Sequence, residues 1–248
     1  MMNASPRIAH RIPDSEEARG LEELATRVVE RAMAAGCEVA EVQAGSGWDL
    51  SVRVRKGEIE LLEEAGHRGL ALRLQRDGRS SVYSTSDLSE DGLQRAVHDA
   101  VDLLELSQPD PFAGPAAFEQ LATGPLGELD LFDPTLSELD AQRAVALAKQ
   151  AEQAAFDFDP RIALSEGASF SRGMGTSVLV LSSGFVGHRR GTQASLSVTP
   201  VAQDSDGKKR RDSHWTAHRH FACLEAPEQV GREAARRTLA RLGARKVD

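Results

Sequence analysis

Trp48-Asp49-Leu50-Ser51-Val52-Arg53-Val54-Arg55-Lys56-Gly57-Glu58-Ile59-Glu60-Leu61 is the stretch on which the fold turns. Leu50, Val52 and Val54 alternate with polar residues, the period of a strand with one buried face. Lys56-Gly57 is a tight-turn signal, and Ile59 and Leu61 open a return strand. Downstream, Gly69 to Gln75 puts Leu70, Leu72 and Leu74 on one face. Asp77-Gly78 is the strongest hairpin signal in the chain, and Val82 to Thr85 close the sheet. Upstream, Cys37 to Ala44 alternates as a further strand. Turns this short permit only antiparallel pairing.

Helices flank this meander. Asp14 or Ser15 can cap the first, with Glu17 at capping-box spacing from Asp14; Leu21, Leu24, Val28, Val29 and Ala32 mark its apolar face, and Gly36 suits its end. Ser86 or Asp87 caps a second helix, lined by Leu93, Val97, Ala100, Val101 and Leu104. One open sheet needs a cover, and two helices supply it.

The plan then recurs. An Ala-rich helix is expected over 137–156, with strands near Ala163–Ser171, Thr176–Ser182, Gly191–Thr199 and Arg210–Leu224. Gly173-Met174-Gly175, Ser183-Gly184 and Asp206-Gly207 read as the turns between them. Pro227 stands where a last helix favours its first residue, and Val230, Ala234 and Leu239 form that helix's apolar stripe. Between the two passes lie Pro109, Pro111, Pro115, Pro125 and Pro134 without periodicity. The expected division is a helix–meander–helix domain at 14–106, a Pro-rich linker at 107–136, and a second helix–sheet–helix domain at 137–248. The fold class is α+β: two successive units of antiparallel β-sheet flanked by α-helices.

With 248 residues the chain is long enough for two such domains. Aromatics are only 4%, so Leu, Val and Ala must fill the cores. A net charge of -8 argues against nucleic acid as the main partner, which clustered Lys and Arg would attract. The basic run Lys208-Lys209-Arg210-Arg211 is flanked by Asp204, Asp206 and Asp212 and reads as a solvated hairpin tip. Cys37 and Cys223 form no CxxC and no disulfide framework, which fits a reducing compartment. Residues 1–13 read as a loose arm without the apolar segment of a signal peptide. The longest apolar run, Val178 to Leu181, is far short of a membrane span. The protein is expected to be cytoplasmic.

No motif supplies a self-contained active site, so no residue is assigned a catalytic, cofactor-binding or metal role. His214, His218 and His220 cluster within seven residues. On a helix His214 and His218 would share a face, as in HExxH zinc sites, but the motif's glutamate is missing. The alternation instead suggests a strand with Trp215, Ala217 and Phe221 inward and the histidines outward. Glu58 and Glu60 could act as paired carboxylates but are expected on an exposed edge. Gly173-Met174-Gly175 and Gly184-Phe185-Val186-Gly187 lack phosphate-loop spacing and read as hairpin glycines. There is no GxSxG. Cys37 follows a helix end, where the dipole disfavours a thiolate; both cysteines read as core or near-core residues.

Three groups of residues together resemble the TldD/PmbA family, in its PmbA (TldE) branch. They are Gly36 to Val42 with Val54 to Glu60; Gly69 to Arg73 with Asp77-Gly78-Arg79 and Ser84 to Leu88; and Arg219-His220, Leu224, Pro227 to Gly231 and Ala234 to Leu239. The resemblance covers about residues 16–247 and rests on their order and spacing. Ser81 departs from it, where members often carry glycine. The resemblance implies a zinc peptidase motif, HExxxH, in the C-terminal half of TldD-type members, beyond the part matched here. PmbA-type members lack that motif and resemble non-catalytic partners in a heterodimeric TldD–TldE protease that trims unfolded or leader-containing peptides. It thus implies no zinc ligand or other cofactor here, zinc only in a TldD-type partner, and an extended peptide as substrate. A second reading is a free-standing protein-interaction module without a peptidase role. The third makes the chain itself a peptidase through His214, His218 and His220.

Overall fold

The computed structural model describes residues 8–10, 15–115, 117, 120–121 and 129–244. Its elements run β1 (Ile8–His10), α1 (Glu16–Ala34), β2 (Val39–Arg55), β3 (Glu58–Arg76), β4 (Arg79–Thr85), α2 (Glu90–Leu106), α3 (Pro134–Ser137), α4 (Ala141–Phe156), β5 (Ile162–Leu181), β6 (Phe185–Gln203), β7 (Lys209–Arg211), β8 (His214–His218), a 3-10 turn (Phe221–Cys223) and α5 (Pro227–Ala240). The class is α+β, as the periodicity predicts. Strand order is β1-β6-β5-β2-β3-β4, and β7 and β8 both pair with β6. Pairing is antiparallel for β3–β4, β6–β7 and β6–β8, and parallel for β1–β6. Ile8 to His10 are thus a strand inside the expected loose arm. The rest of that arm and the candidate cap Asp14 lie outside the described residues, as does part of the Pro-rich segment.

The strands are longer than their alternating segments suggest. The two strands expected at 37–44 and 48–55 merge into the single 17-residue β2, which begins at Val39, and β5 runs for 20 residues straight through Gly173-Met174-Gly175. Those glycines are close-approach positions rather than turns. A Cβ on Gly175 would lie 2.8 Å from the Ser46 carbonyl oxygen, and one on Gly173 would lie 2.6 Å from the Asp49 carboxylate. Of the expected hairpin glycines, Gly184 does sit in the β5–β6 turn, at φ 96°, whereas Gly187 is inside β6.

The chain forms two compact units. One comprises Met1–Gly47, His67–Asp130 and Gly175–Arg190; the other comprises Trp48–Gly66, Leu131–Met174 and Gly191–Asp248. In the first, α1 and α2 lay their stripes, from Leu21 to Ala32 and from Leu93 to Leu104, against Ala40, Val42, Leu70, Leu72, Leu74, Val178 and Val180. Ser15 caps α1, accepting from the Ala18 N–H at 3.3 Å. Ser89, not Ser86 or Asp87, caps α2. Asp87 instead accepts from the Ser89 N–H and hydroxyl at 3.1 and 2.6 Å, and it leaves no room for a side chain at Gly92, where a Cβ would lie 2.3 Å from its carboxyl carbon. Ser81, at the position departing from the family pattern, is buried and donates to the Ala100 carbonyl at 2.6 Å, tying β4 to α2.

In the second unit, α4 and α5 cover Leu50, Val52, Val54, Ile162, Phe170, Ala194, Leu196 and Val198. Gly231 lets the two helices touch: a Cβ there would sit 2.2 Å from the Ala151 carbonyl oxygen. Val230 and Ala234 are fully buried and Leu239 packs against the same core, so the stripe of α5 already has a surface to cover. α3 brings buried Leu136 into this core from the end of the expected linker. Asp133, also buried, organises the approach. It accepts from the Phe221 and Thr135 N–H groups at 2.7 and 2.8 Å, and its own N–H donates to Thr192 at 2.9 Å.

Candidate functional site

The site is the β2–β3 hairpin of the second unit. At its tip Lys56 and Gly57 both take positive φ, 53° and 76°, the pair a type I′ turn requires. Their N–H groups donate to the two carboxylate oxygens of Glu152 at 3.0 and 2.9 Å. Glu152 lies on α4 and is only 2% exposed. A buried charge is costly unless it is fully hydrogen-bonded, and here two backbone donors satisfy it while fixing the turn.

From that turn β3 emerges with an unusual property: every residue from Glu58 to Arg68 is exposed. Pairing with β4 begins only at Leu70, opposite Thr85. Among the described residues, no strand pairs with the outer edge of β3 over Glu58–Gly66. That edge carries Ile59, Leu61 and Leu62 in the open, with Glu58, Glu60, Glu63 and Glu64 among them. Trp48, 54% exposed, lays its ring over Gly66, where a Cβ would lie 3.1 Å from it. Glu60 faces Arg55 at 3.4 Å. Glu64 faces Arg172 at 3.4 Å, whose buried guanidinium also donates to the Leu139 carbonyl at 3.0 Å. Such an edge offers unpaired N–H and C=O groups to an extended backbone, with apolar and acidic side chains on either face.

The residues singled out from sequence fall elsewhere or in other roles. Glu58 and Glu60 are exposed on the edge, as expected. His214 pairs with Glu225 at 3.1 Å; the His218 ring accepts from the His220 N–H at 3.0 Å, and their rings lie 5.9 Å apart. Among the described residues no three His, Cys, Asp or Glu side chains form a group able to hold a metal. The inward face of β8 is the reverse of the one expected: Trp215 is 63% exposed, Ala217 is exposed, and Thr216 is buried. Thr216 accepts from the Glu225 N–H, so a polar group satisfied by the following chain takes the inner position. Cys37 is buried, and burial pushes its thiol up, with Arg76 opposing. Cys223 is exposed in the 3-10 turn, not in a strand core. The basic run is tied to its flanking acids through Lys208–Asp206 and Arg210–Asp204, at 3.1 and 3.0 Å. Sequence reasoning missed Glu152, Asp133 and the length of the open edge. The one visible signal was Glu58-Ile59-Glu60-Leu61-Leu62-Glu63-Glu64, where charges occupy both faces of a strand.

Comparison with known proteins fits this hairpin-and-helix plan. Residues 40–104 match the family model of PmbA/TldA metallopeptidase domain 1, and residues 134–242 match that of the central domain. The chain belongs to the PmbA/TldD metallopeptidase family. It is 36% identical over 228 residues to Metalloprotease PmbA of Escherichia coli O157:H7, an alignment spanning 89% of this chain and 50% of that protein. It is 33% identical to the PmbA homolog of Haemophilus influenzae, across 88% and 48% of the two. The chain thus spans about half the length of the curated relatives it matches. Among solved structures, a Bacteroides thetaiotaomicron protein named as a candidate modulator of DNA gyrase superposes with a TM-score of 0.84 at 25% identity, over 94% of this chain and 52% of that one. TldE from Thermococcus kodakarensis shares the fold, with a TM-score of 0.71 at 15% identity, over 87% and 47%.

Proposed function

We propose that this chain is the contact-forming portion of a PmbA/TldE-type subunit that contributes no cleaving group of its own and works with a TldD-type metallopeptidase subunit in the cytoplasm. The partner supplies the zinc and the hydrolytic chemistry. This chain supplies shape and a surface for unfolded or leader-containing peptides. The observation that carries the reading is the open edge of β3 from Glu58 to Gly66. It is an extended backbone with unmet hydrogen-bonding capacity, and its turn is anchored through a buried carboxylate. Main-chain pairing is indifferent to side-chain sequence, which suits substrates recognised by their unfolded state. No helix among the described residues is long and apolar enough to cross a membrane, which accords with a cytoplasmic assembly.

The test is reconstitution. A TldD-type partner, this protein, and the two mixed are each given an unfolded peptide, and its cleavage is followed by mass spectrometry. The expectation is cleavage by the mixture and none by this protein alone. Cleavage by this protein alone, whether or not it survives metal stripping, would overturn the proposal. So would a partner whose rate and products are unchanged by adding it.

A further inference from the structure

The second unit holds a cleft of about 450 Å³ beside the hairpin tip, lined by Arg55, Lys56, Ser165, Glu166, Lys209 and Arg211 together with two aliphatic side chains. Four cations face one carboxylate in a chain whose net charge is -8. Glu166 pairs with Arg211. Arg55 is positioned by its Nε, which donates to the Ser165 carbonyl at 3.1 Å, and it also meets Glu60 at 3.4 Å. Among the described residues, the Lys56 and Lys209 ammonium groups make no ion pair. The walls are fixed: Glu152 holds the Lys56–Gly57 turn, and the Ser165 hydroxyl accepts from the Gly167 N–H at 2.8 Å. Gly167 takes φ 118°, with a Cβ position 2.8 Å from the Val54 carbonyl, so β5 here lies close against β2.

We propose that this cleft binds a small anion carrying two or more phosphoryl groups. Guanidiniums recognise phosphate oxygens bidentately and ammoniums act as point charges; two of each, less the Glu166 and Glu60 carboxylates that face Arg211 and Arg55, leave a net positive cleft in which the Lys56 and Lys209 ammoniums are the cations without an ion pair, which complements a multiply charged phosphate. No aromatic side chain lines the cleft, so it offers no platform on which a nucleobase could stack. The volume is that of an ordinary small-ligand site.

Inorganic pyrophosphate is the probe, titrated calorimetrically into the intact chain at low salt. The comparison is between the native protein, a Lys56→Gln/Lys209→Gln variant, and a Lys149→Gln/Arg232→Gln control that removes the same charge from exposed sites on α4 and α5. Thermal melts establish that all three fold. The expected result is one site per chain, weakened about tenfold or more (~1.4 kcal/mol) in the cleft variant and little changed in the control. Equal weakening in both variants, several weak sites, or no binding by the native chain would overturn the proposal. Citrate binding as tightly as pyrophosphate would overturn the phosphate assignment.

Discussion

Replacing Glu152 tests how the hairpin is held. Its two oxygens accept from the Lys56 and Gly57 N–H groups at 3.0 and 2.9 Å, and the side chain is only 2% exposed. Hydrogen bonds to a charged group contribute about 1.5–3 kcal/mol each. The turn itself is partly exposed, so water can reach its N–H groups once the carboxylate is gone, and the lower figure applies. Glu152→Ala should therefore cost about 3 kcal/mol. Glu152→Gln keeps the shape and one acceptor and should cost about half as much. For a chain of this size the alanine variant corresponds to a fall in Tm of about 6–12 °C. Urea unfolding followed by tryptophan fluorescence is the assay, because both tryptophans, Trp48 and Trp215, lie in the second unit. The midpoint should fall with little change in slope. A loss below about 1 kcal/mol for Glu152→Ala would refute the claim that this carboxylate anchors the turn.

Three further outcomes follow from named contacts. Gly231→Ala should destabilise by about 3 kcal/mol, because a Cβ there meets the Ala151 carbonyl oxygen at 2.2 Å; helix propensity alone predicts a gain of about 1 kcal/mol, so denaturant titration reads the sign directly. Hydrogen bonds from Arg236 and Arg237 hold Glu233 down at about 2. A depressed carboxylate stabilises above its unfolded value, near 4.3, and that contribution is lost as pH falls toward 2. Glu233→Gln should thus flatten the dependence of Tm on pH in that window, a change visible in melts run from pH 6 to 2.5. Burial would raise Asp133, but the N–H groups of Phe221 and Thr135 outweigh it and hold the carboxyl below its ordinary value. Asp133→Asn should cost about 1–3 kcal/mol in urea unfolding and remove some of the acid sensitivity.

Alternation and turn chemistry made the meander legible. Leu50-Val52-Val54 and Leu70-Leu72-Leu74 fall on buried faces, and Lys56-Gly57 and Asp77-Gly78 both form turns with positive φ at each central residue. Glycine was the main source of error. Gly175 lies where a Cβ would meet the Ser46 carbonyl oxygen and Gly173 where one would meet the Asp49 carboxylate, tertiary facts that leave the same mark in sequence as a turn. Hydrophobicity places Trp215 on the inner face of β8, whereas the inner place goes to Thr216, whose hydroxyl accepts from the Glu225 N–H. The anchoring role of Glu152 was illegible because its partners lie 95–96 residues away, and for Asp133 only the local contact to Thr135 is near in sequence, while the tie to Phe221 spans 88 residues. The open edge was half visible. Charges on both faces of Glu58 to Glu64 signal a strand with neither face buried, yet where β4 stops pairing depends on a register that sequence does not fix.

Hydrogen exchange across β3 probes the proposed role of this edge most directly. In the protein alone, amides of Glu58–Gly66 that point away from β2 should exchange fast, while those of Leu70–Arg76 that pair with β4 are protected. Adding a TldD-type partner and an unfolded peptide should slow the outward amides of Glu58–Gly66 and leave those of β4 unchanged. Outward amides that are already protected in the isolated protein, or that exchange equally fast in the assembly, would contradict the account.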